Sequence, residues 1–262
     1  MDLTMLLLTG AFAGTLAGLL GIGGGIVIVP IVLLFFESQG VESGLAIKMA
    51  LGTSLATIIF TAMSSIYTHQ RKQAVQWGTV KIMTPGILAG SLAGAWLADI
   101  IPGTTLYIAF IAFLFLVSIQ MAFSRVSAHR ALPGRFAMNS ISFSFGTISA
   151  LMGVGGGSLN VPFLSYCGVP IKKAVATAAA LGLPIAASAA LGYIIGGLNE
   201  ENLPSGSIGY VNLPVFGGVV VASLVFAPMG AILAHKLPDQ VLRRLFAIFI
   251  FVLATKMSLK FL

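Results

Sequence analysis

The sequence predicts an all-α polytopic membrane protein made of two inverted repeats, each with a glycine-broken helical hairpin and three transmembrane helices. The first observation is composition, since 58% of the residues are hydrophobic and only 8% are charged, too few polar residues to cover a soluble globule. The second is that apolar stretches recur along the whole chain. The third is a glycine-rich motif that occurs once in each half. Together they indicate one membrane-embedded unit without a separate soluble domain.

The first apolar stretch, residues 3–36, is broken near its middle by GIGGGIVIVP, Gly21 to Pro30. Each glycine inside a helix costs about 1 kcal/mol relative to alanine. Gly23, Gly24 and Gly25 in succession therefore argue against a continuous helix, and we expect two helical arms that meet at these glycines.

Three uninterrupted apolar stretches follow, and each has the length that one membrane crossing requires. A basic segment, a second broken stretch at 137–166 with the motif GVGGGSLNVP, and three more crossings complete the chain. The crossings are expected at 45–67, 78–100, 104–124, 172–197, 210–234 and 240–261. The predicted units are a first transmembrane repeat at 1–124, a basic cytoplasmic linker at 125–136 and a second transmembrane repeat at 137–262.

The two halves resemble each other beyond the glycines. IKMALGTSLA, from Ile47 to Ala56, aligns with IKKAVATAAA, from Ile171 to Ala180. GAWLADIIP, from Gly94 to Pro102, aligns with GAILAHKLP, from Gly230 to Pro238. The matched segments occur in the same order in both halves, and the offset between them changes only through the lengths of the joints. This pattern indicates an internal duplication.

Charge in the joints predicts that the copies are inverted. The joint after the first crossing holds Arg71 and Lys72, whereas its counterpart holds Glu200 and Glu201. By the positive-inside rule, these equivalent loops lie on opposite membrane faces.

An inverted repeat needs an odd number of crossings in each half. The stretch 3–36 is therefore expected to be a re-entrant hairpin from outside, and 137–166 one from the cytoplasm. Eight plain crossings are the alternative, which would put Lys172 and Lys173 outside and Glu200 inside.

The glycine breaks predict an anion site. Non-helical backbone at membrane depth persists only where it is buried in protein or lines a watery cavity. A break there exposes backbone amides and the positive end of the half-helix that follows, and two breaks that meet near the midplane form an anion site. Close packing is the alternative use of such glycines. The second break supplies Gly155, Gly156 and Gly157.

Polar residues near the breaks are the remaining candidates for substrate binding. Hydrogen bonding within or between helices is the alternative role for the hydroxyl groups, whereas a buried asparagine amide needs several partners. Two lysines at equivalent helix starts are expected either to gather anions at the vestibules or to extend to the interface. The binding candidates are Thr53, Ser54, Ser158, Asn160 and Thr177, and the vestibule lysines are Lys48 and Lys172.

Several function classes are disfavoured. The net charge of +7 is scattered over joints, which indicates topology rather than nucleic-acid binding. Neither glycine motif is followed by the Lys-Ser or Lys-Thr of a phosphate-binding loop. The three histidines lie in or beside polar joints, so we expect no intramembrane enzyme, and we expect no cofactor or metal.

The motifs GIGGG and GVGGG, each followed by a proline, together with ALGTSL and its altered copy AVATAA, resemble the sulfite exporter TauE/SafE family of bacterial and organellar membrane proteins. The resemblance covers essentially the whole chain. It implies a multi-pass protein of the cell inner (plasma) membrane that exports sulfite, sulfoacetate or related sulfur-containing anions. The second copy departs from the pattern, because Ala178 stands where the first copy has Ser54.

The direction of transport follows from the acidic residues. All seven lie at span ends or in joints, so no buried carboxylate is available as a proton relay. An inside-negative potential favours exit of a dianion by about 5 kcal/mol at 100 mV, so export needs no coupling ion. The expected partners are a small anionic substrate and the lipid bilayer. The sequence leaves open the oligomeric state, a homodimer included, and the alternatives of an anion channel or an uptake carrier for another small anion.

Overall fold

The computed structural model describes residues 24–123, 132–236 and 239–259, together with Ala11 and Thr15. Helices form nearly all of this part of the chain, which confirms the predicted all-α class. The helices are α1 Gly25–Ser38, α2 Ser43–Arg71, α3 Trp77–Ile100, α4 Gly103–Phe123, α5 Arg135–Leu151, α6 Gly157–Tyr166, α7 Ile171–Gly196, α8 Leu213–Lys236 and α9 Asp239–Ser258.

The predicted crossings coincide with helices. Within the described ranges, α2, α3, α4 and α7 are long and apolar enough to span a membrane, and α8 and α9 are helices of 24 and 20 residues. The crossing expected to start at 210 starts later, at Leu213, because a short hairpin precedes it. This hairpin pairs β1 Ser207–Ile208 with β2 Val211–Asn212 in antiparallel register, and Gly206 and Gly209 adopt positive φ angles of 82° and 54° beside it.

Both half-helices start at equivalent glycines. α1 begins at Gly25, and α6 begins at Gly157 after a non-helical break that follows α5. The described residues do not include Gly23 or, apart from Ala11 and Thr15, the first arm of the hairpin at 3–36. They also do not include most of the linker at 125–136. The boundaries of the predicted units therefore stay predictions.

Helices α2 and α7 form the centre of the molecule and run antiparallel. Near the start of α2, a Cβ atom added at Gly52 would lie 3.1 Å from the Cβ of Tyr193, near the end of α7. In the middle, Ile58 and Ala186 belong to one apolar cluster. Further along, Ser65 of α2 and Val175 of α7 line the same cleft. The start of each helix therefore lies at the end of the other, which is the course that inverted repeats require.

Helix α5 packs parallel to α3 through glycines. Added Cβ atoms at Gly86, Gly90 and Gly94 would lie 2.3, 2.0 and 2.5 Å from the carbonyl oxygens of Asn139, Phe143 and Thr147, respectively. Only glycine permits this approach of two membrane helices. The side chain of Thr147 donates a hydrogen bond of 3.0 Å to the Gly90 carbonyl across the same contact.

The helix ends separate charge into two faces, which we name the acidic end and the basic end. At the acidic end, α2 starts and α3 finishes, since Lys48 Nζ donates to the Asp99 carbonyl at 2.7 Å. At the basic end, α2 finishes, and α3, α5 and α7 start. The acidic end carries Glu37, Glu42, Asp99, Glu200 and Glu201, and the basic end carries Arg71, Lys72, Arg135, Lys172 and Lys173. The positive-inside rule predicts that the basic end faces the cytoplasm.

The second broken stretch returns to the end from which it starts. α5 begins at the basic end because it runs parallel to α3. A Cβ atom added at Gly156 would lie 2.5 Å from the Ala178 carbonyl oxygen in the middle of α7. From there α6 leads to Tyr166, which lies shortly before the start of α7 at Ile171. A re-entrant hairpin would follow such a course. The re-entrant arrangement of both broken stretches, and the membrane face from which each enters, stay predictions.

Candidate functional site

The two glycine breaks touch each other at the centre of the molecule. A Cβ atom added at Gly25 would lie 2.8 Å from both the Gly153 carbonyl oxygen and the Val154 Cα, and 2.9 Å from Ile58 Cδ1. Gly25 is buried against backbone from the other break and against the middle of α2. The start of α1 and the second glycine motif therefore share one junction, which we call the glycine junction.

The backbone at each break turns through a conformation that favours glycine. Gly24, immediately before α1, has a φ of 72°, and Gly153, at the start of the second motif, has a φ of 62°. A side chain at either position would be strained. These turns allow the chain to stop and to start a helix in a new direction at membrane depth.

The positive ends of α1 and α6 meet at the glycine junction. α1 runs from Gly25 toward the acidic end, and α6 runs from Gly157 toward the basic end. Neither helix has a side-chain hydrogen bond at its N-cap. The first N–H groups of a helix have no partner within it, and each helix end carries roughly half a positive charge. The arrangement can therefore stabilise about one negative charge without a lysine or an arginine.

Ser54 lies at the junction, whereas the two predicted threonines contact loops. The Ser54 hydroxyl donates to the Gly153 carbonyl at 3.0 Å, and both groups are buried. Thr53 accepts a hydrogen bond of 3.1 Å from the backbone N–H of Asn212, in the hairpin before α8. Thr177 accepts one of 3.1 Å from the N–H of Gln76, in the joint before α3. The substrate role predicted for these hydroxyls stays a prediction.

Asn160 and Ser158 occupy the first turn of α6 with unused polar atoms. The Asn160 side chain is completely buried, and its Nδ2 donates to the Gly156 carbonyl at 2.8 Å. Its Oδ1 is buried without a hydrogen-bond donor among the described residues, and the Ser158 hydroxyl is buried without a partner there too. The corresponding positions of the first motif hold Ile26 and Ile28, so the two breaks share a backbone pattern but differ in side-chain chemistry.

A narrow cleft leads from the second break toward the basic end. Its volume is about 20 Å³, which is room for a water molecule and too little for a sulfur oxyanion. Most of its lining is apolar, so backbone supplies most of its polar groups. The lining residues are Ile58, Ala62 and Ser65 of α2, Gly155, Gly156, Gly157 and Val161, and Val175, Ala178, Ala179 and Gly182 of α7.

At the acidic end, Lys48 is held within a polar cluster. Besides its bond to the Asp99 carbonyl, its ammonium lies 5.5 Å from the centre of the Tyr210 ring. Tyr210 donates from its hydroxyl to Asp99 Oδ1 at 3.0 Å. Burial raises the pKa of the Tyr210 hydroxyl, as do the hydrogen bond to Asp99 and the nearby acidic charges, so Tyr210 stays protonated and donating. Lys172, by contrast, is exposed at the basic end.

Sequence reasoning missed the two tyrosines that close the acidic end. Tyr193 and Tyr210 meet edge to face with 6.4 Å between ring centres, and the Tyr193 hydroxyl donates to the Ala150 carbonyl at 3.1 Å. A Cβ atom at Gly52 would lie 3.0 Å from the Tyr210 carbonyl oxygen. The one available signal was Lys48, a cation at a helix start where the helix dipole does not favour it.

Comparison with known proteins agrees with this architecture. The sequence profile of the family described as sulfite exporter TauE/SafE matches residues 6–257. A "Probable membrane transporter protein" of Haemophilus influenzae is 33% identical, over 97% of this chain and 97% of its own length. A protein of the same description from Methanocaldococcus jannaschii is 27% identical over 92% and 90% of the two chains. "Probable membrane transporter protein YunE" of Bacillus subtilis is 30% identical over 68% and 72%. No solved structure matches.

Proposed function

This chain belongs to the sulfite exporter TauE/SafE family of multi-pass membrane transporters, and from that premise we propose that it exports small sulfur-containing anions. The proposed binding site is the glycine junction, with sulfite and organosulfonates as the substrate class. The family description supports the substrate class, and the curated relatives support the assignment as a transporter.

The observation that carries the proposal is the contact of Gly25 with Gly153 and Val154. This contact supports a site in the protein interior between the start of α1 and the motif that leads into α6, where the low dielectric would strengthen the attraction of the helix N-termini for an anion. Two ends supply about one positive charge, comparable with the charge of a small oxyanion. Binding through helix ends and unwound backbone is a general solution for anion transport at the membrane midplane.

The small cleft supports a carrier that alternates between states. Because its volume of about 20 Å³ does not hold a sulfur oxyanion, substrate entry requires α2 and α7 to separate from α6 at the basic end. At the acidic end, the rings of Tyr193 and Tyr210 pack edge to face, and in this proposal they close that end. Before it loads its substrate, an exporter needs an access route at the cytoplasmic end and a closed opposite end.

The position of the described acidic residues, away from the glycine junction, supports voltage as the driving force. Glu37, Glu42, Asp99, Glu200 and Glu201 all lie at the acidic end rather than at the glycine junction. Each negative charge that leaves the cell gains about 2.3 kcal/mol at 100 mV. Export of an anion is favourable under that potential without a coupled ion.

The decisive test is flux in proteoliposomes under an imposed potential, with sulfite, sulfoacetate, sulfate and chloride compared. We expect saturable flux of at least one of the sulfur-containing anions that exceeds flux of chloride, with little flux in protein-free liposomes. Flux that rises linearly with concentration would identify a channel instead. Equal failure of all sulfur-containing anions, with the protein folded in the membrane, would refute the proposed substrate class.

A further inference from the structure

The unpartnered carbonyl oxygen of Asn160 indicates which form of the anion the site recognises. We propose that the transported species is a monoanion that retains a hydrogen-bond donor, such as hydrogensulfite or a hydroxyl-bearing sulfonate, and that Asn160 selects it. This inference rests on the proposed function and specifies the substrate of that same site.

The orientation of the Asn160 amide is fixed by its neighbour. The Gly156 carbonyl 2.8 Å from Nδ2 can only accept a hydrogen bond, so the NH₂ group must face it and Oδ1 must face away. Oδ1 is then a buried acceptor without a donor among the described residues. A buried acceptor of this kind is unfavourable unless a donor arrives with the ligand.

The amide lies at the glycine junction itself. Its Nδ2 would be 3.2 Å from a Cβ atom built at Gly156, which in turn would contact α7 at the Ala178 carbonyl and the Gly182 N–H. Ser158, two residues before Asn160, adds a buried hydroxyl without a partner among the described residues. The N-terminal turn of α6 thus carries N–H donors, one hydroxyl and one pure acceptor.

A fully deprotonated oxyanion would satisfy only the donors. Its oxygens all accept hydrogen bonds, so Asn160 Oδ1 would stay unpaired next to a negative charge. An anion that keeps an O–H or S–H group places its charged oxygens on the helix N-termini and its hydrogen on Oδ1. Sites built to pair a substrate hydroxyl reject analogues that lack it, because the polar group of the protein is then left unpaired.

Charge balance favours the same species. Two helix ends supply about one positive unit, and the residues that line the cleft and the junction within the described ranges include no lysine, arginine or histidine. The site therefore neutralises a monoanion and leaves a dianion with excess charge in a region of low dielectric.

A matched pair of substrates tests the inference without any mutation. 2-Hydroxyethanesulfonate and propane-1-sulfonate are both permanently ionised, have nearly the same size, and differ by a hydroxyl in place of a methyl group. We expect the wild-type protein to transport the hydroxyl-bearing anion at least about tenfold more efficiently, as one hydrogen bond to a buried acceptor allows. Equal efficiencies would overturn the inference and leave the proposed function intact, whereas transport of neither sulfonate nor sulfite would count against the proposed function.

The charge moved per cycle gives an independent measurement. At equal pH on both sides and 100 mV, movement of hydrogensulfite should concentrate total sulfite about 50-fold at equilibrium, and movement of the dianion about 2,000-fold or more. A ratio near the higher value would overturn the inference.

Asn160→Leu connects the preference to the residue, since leucine has a similar size and no acceptor. We expect the variant to lose the preference for 2-hydroxyethanesulfonate and to keep transport of propane-1-sulfonate. Ser165→Ala is the matched control, because Ser165 is another buried hydroxyl of α6 without a partner among the described residues, but lies near the opposite end of the helix. Retention of the preference in Asn160→Leu would remove Asn160 from the proposal.

Discussion

Substitution of one cleft glycine by alanine should block transport without disturbing the fold. A methyl group added at Gly155 would lie 3.3 Å from Ile58 Cγ2 and 4.0 Å from Ile58 Cδ1, and no other residue that the structure describes, apart from its chain neighbours, comes within 4 Å of it. The Ile58 side chain can move by a few tenths of an ångström. Replacing glycine also reduces the freedom of the unfolded chain, which stabilises a protein by about 0.4–1 kcal/mol where the conformation permits. We expect the free energy of unfolding of Gly155→Ala to stay within about 1 kcal/mol of wild type.

The effect on transport should be much larger. The cleft has a volume of about 20 Å³, so a methyl group, similar in size to a water molecule, occupies most of it. The anion would then be held away from the exposed amides at the start of α6. Favourable helix-end interactions contribute up to about 2 kcal/mol, so their loss corresponds to roughly a thirtyfold fall in transport efficiency.

Two further variants separate blockage from misfolding. Gly156→Ala places a methyl group 2.5 Å from the Ala178 carbonyl oxygen and 2.9 Å from the Gly182 N–H, both backbone atoms that cannot move independently. Overpacking of this kind costs about 1–3 kcal/mol, so this variant should melt earlier. Gly217→Ala is the neutral control, because in the part of the chain that the structure describes an added Cβ there meets nothing within 4 Å beyond its own helix. Flux in proteoliposomes and thermal unfolding in detergent are the assays, and wild-type flux from a stable Gly155→Ala would refute the cleft as the substrate route.

Further predictions concern topology, the acidic end and the driving force. Single cysteines at Arg71 and Glu200, with Cys167 replaced, should label from opposite sides of the membrane, and labelling from one side would contradict the inverted arrangement. Tyr210→Phe removes the hydrogen bond to Asp99 and should lower the free energy of unfolding by about 1.5–3 kcal/mol, as expected for a bond to a charged acceptor. Because the folded-state pKa of Tyr210 is raised above the ordinary tyrosine value of about 10, its stabilising contribution is complete below that pH and is lost as the pH rises past it. The unfolding temperature should therefore fall less steeply above pH 10 in Tyr210→Phe than in the wild-type protein. Identical pH profiles for the two proteins would argue against a stabilising bond between Tyr210 and Asp99. A potassium–valinomycin potential, negative on the cytoplasmic face, should accelerate anion exit without a pH or sodium gradient, and flux that follows only a proton gradient would rule out uncoupled export.

The helical framework could be predicted from the sequence because its causes are local. Consecutive glycines destabilise a helix at the positions where they occur. Accordingly, α1 starts at Gly25 and α6 starts at Gly157. The lengths of the apolar stretches likewise located α2, α3, α4 and α7.

The partners of the polar side chains could not be predicted in the same way. Thr53 and Thr177 lie at equivalent, well-recognised positions, but the groups they contact are backbone N–H groups in a two-residue strand and a loop. Such contacts leave no periodic pattern in the sequence, since they depend on where distant loops arrive. The same applies to Tyr210, whose bond to Asp99 joins residues far apart in the chain.

The two threonine bonds join the halves reciprocally. Thr53 of the first half pairs with Asn212 of the second, and Thr177 of the second half pairs with Gln76 of the first, both at 3.1 Å. Each half thus supplies the acceptor for a backbone N–H that the other half would otherwise leave unpaired. The pattern is that of a two-fold symmetric dimer interface contained within one polypeptide. We therefore expect that neither half folds stably by itself, and that the two halves expressed as separate chains accumulate only when they are produced together.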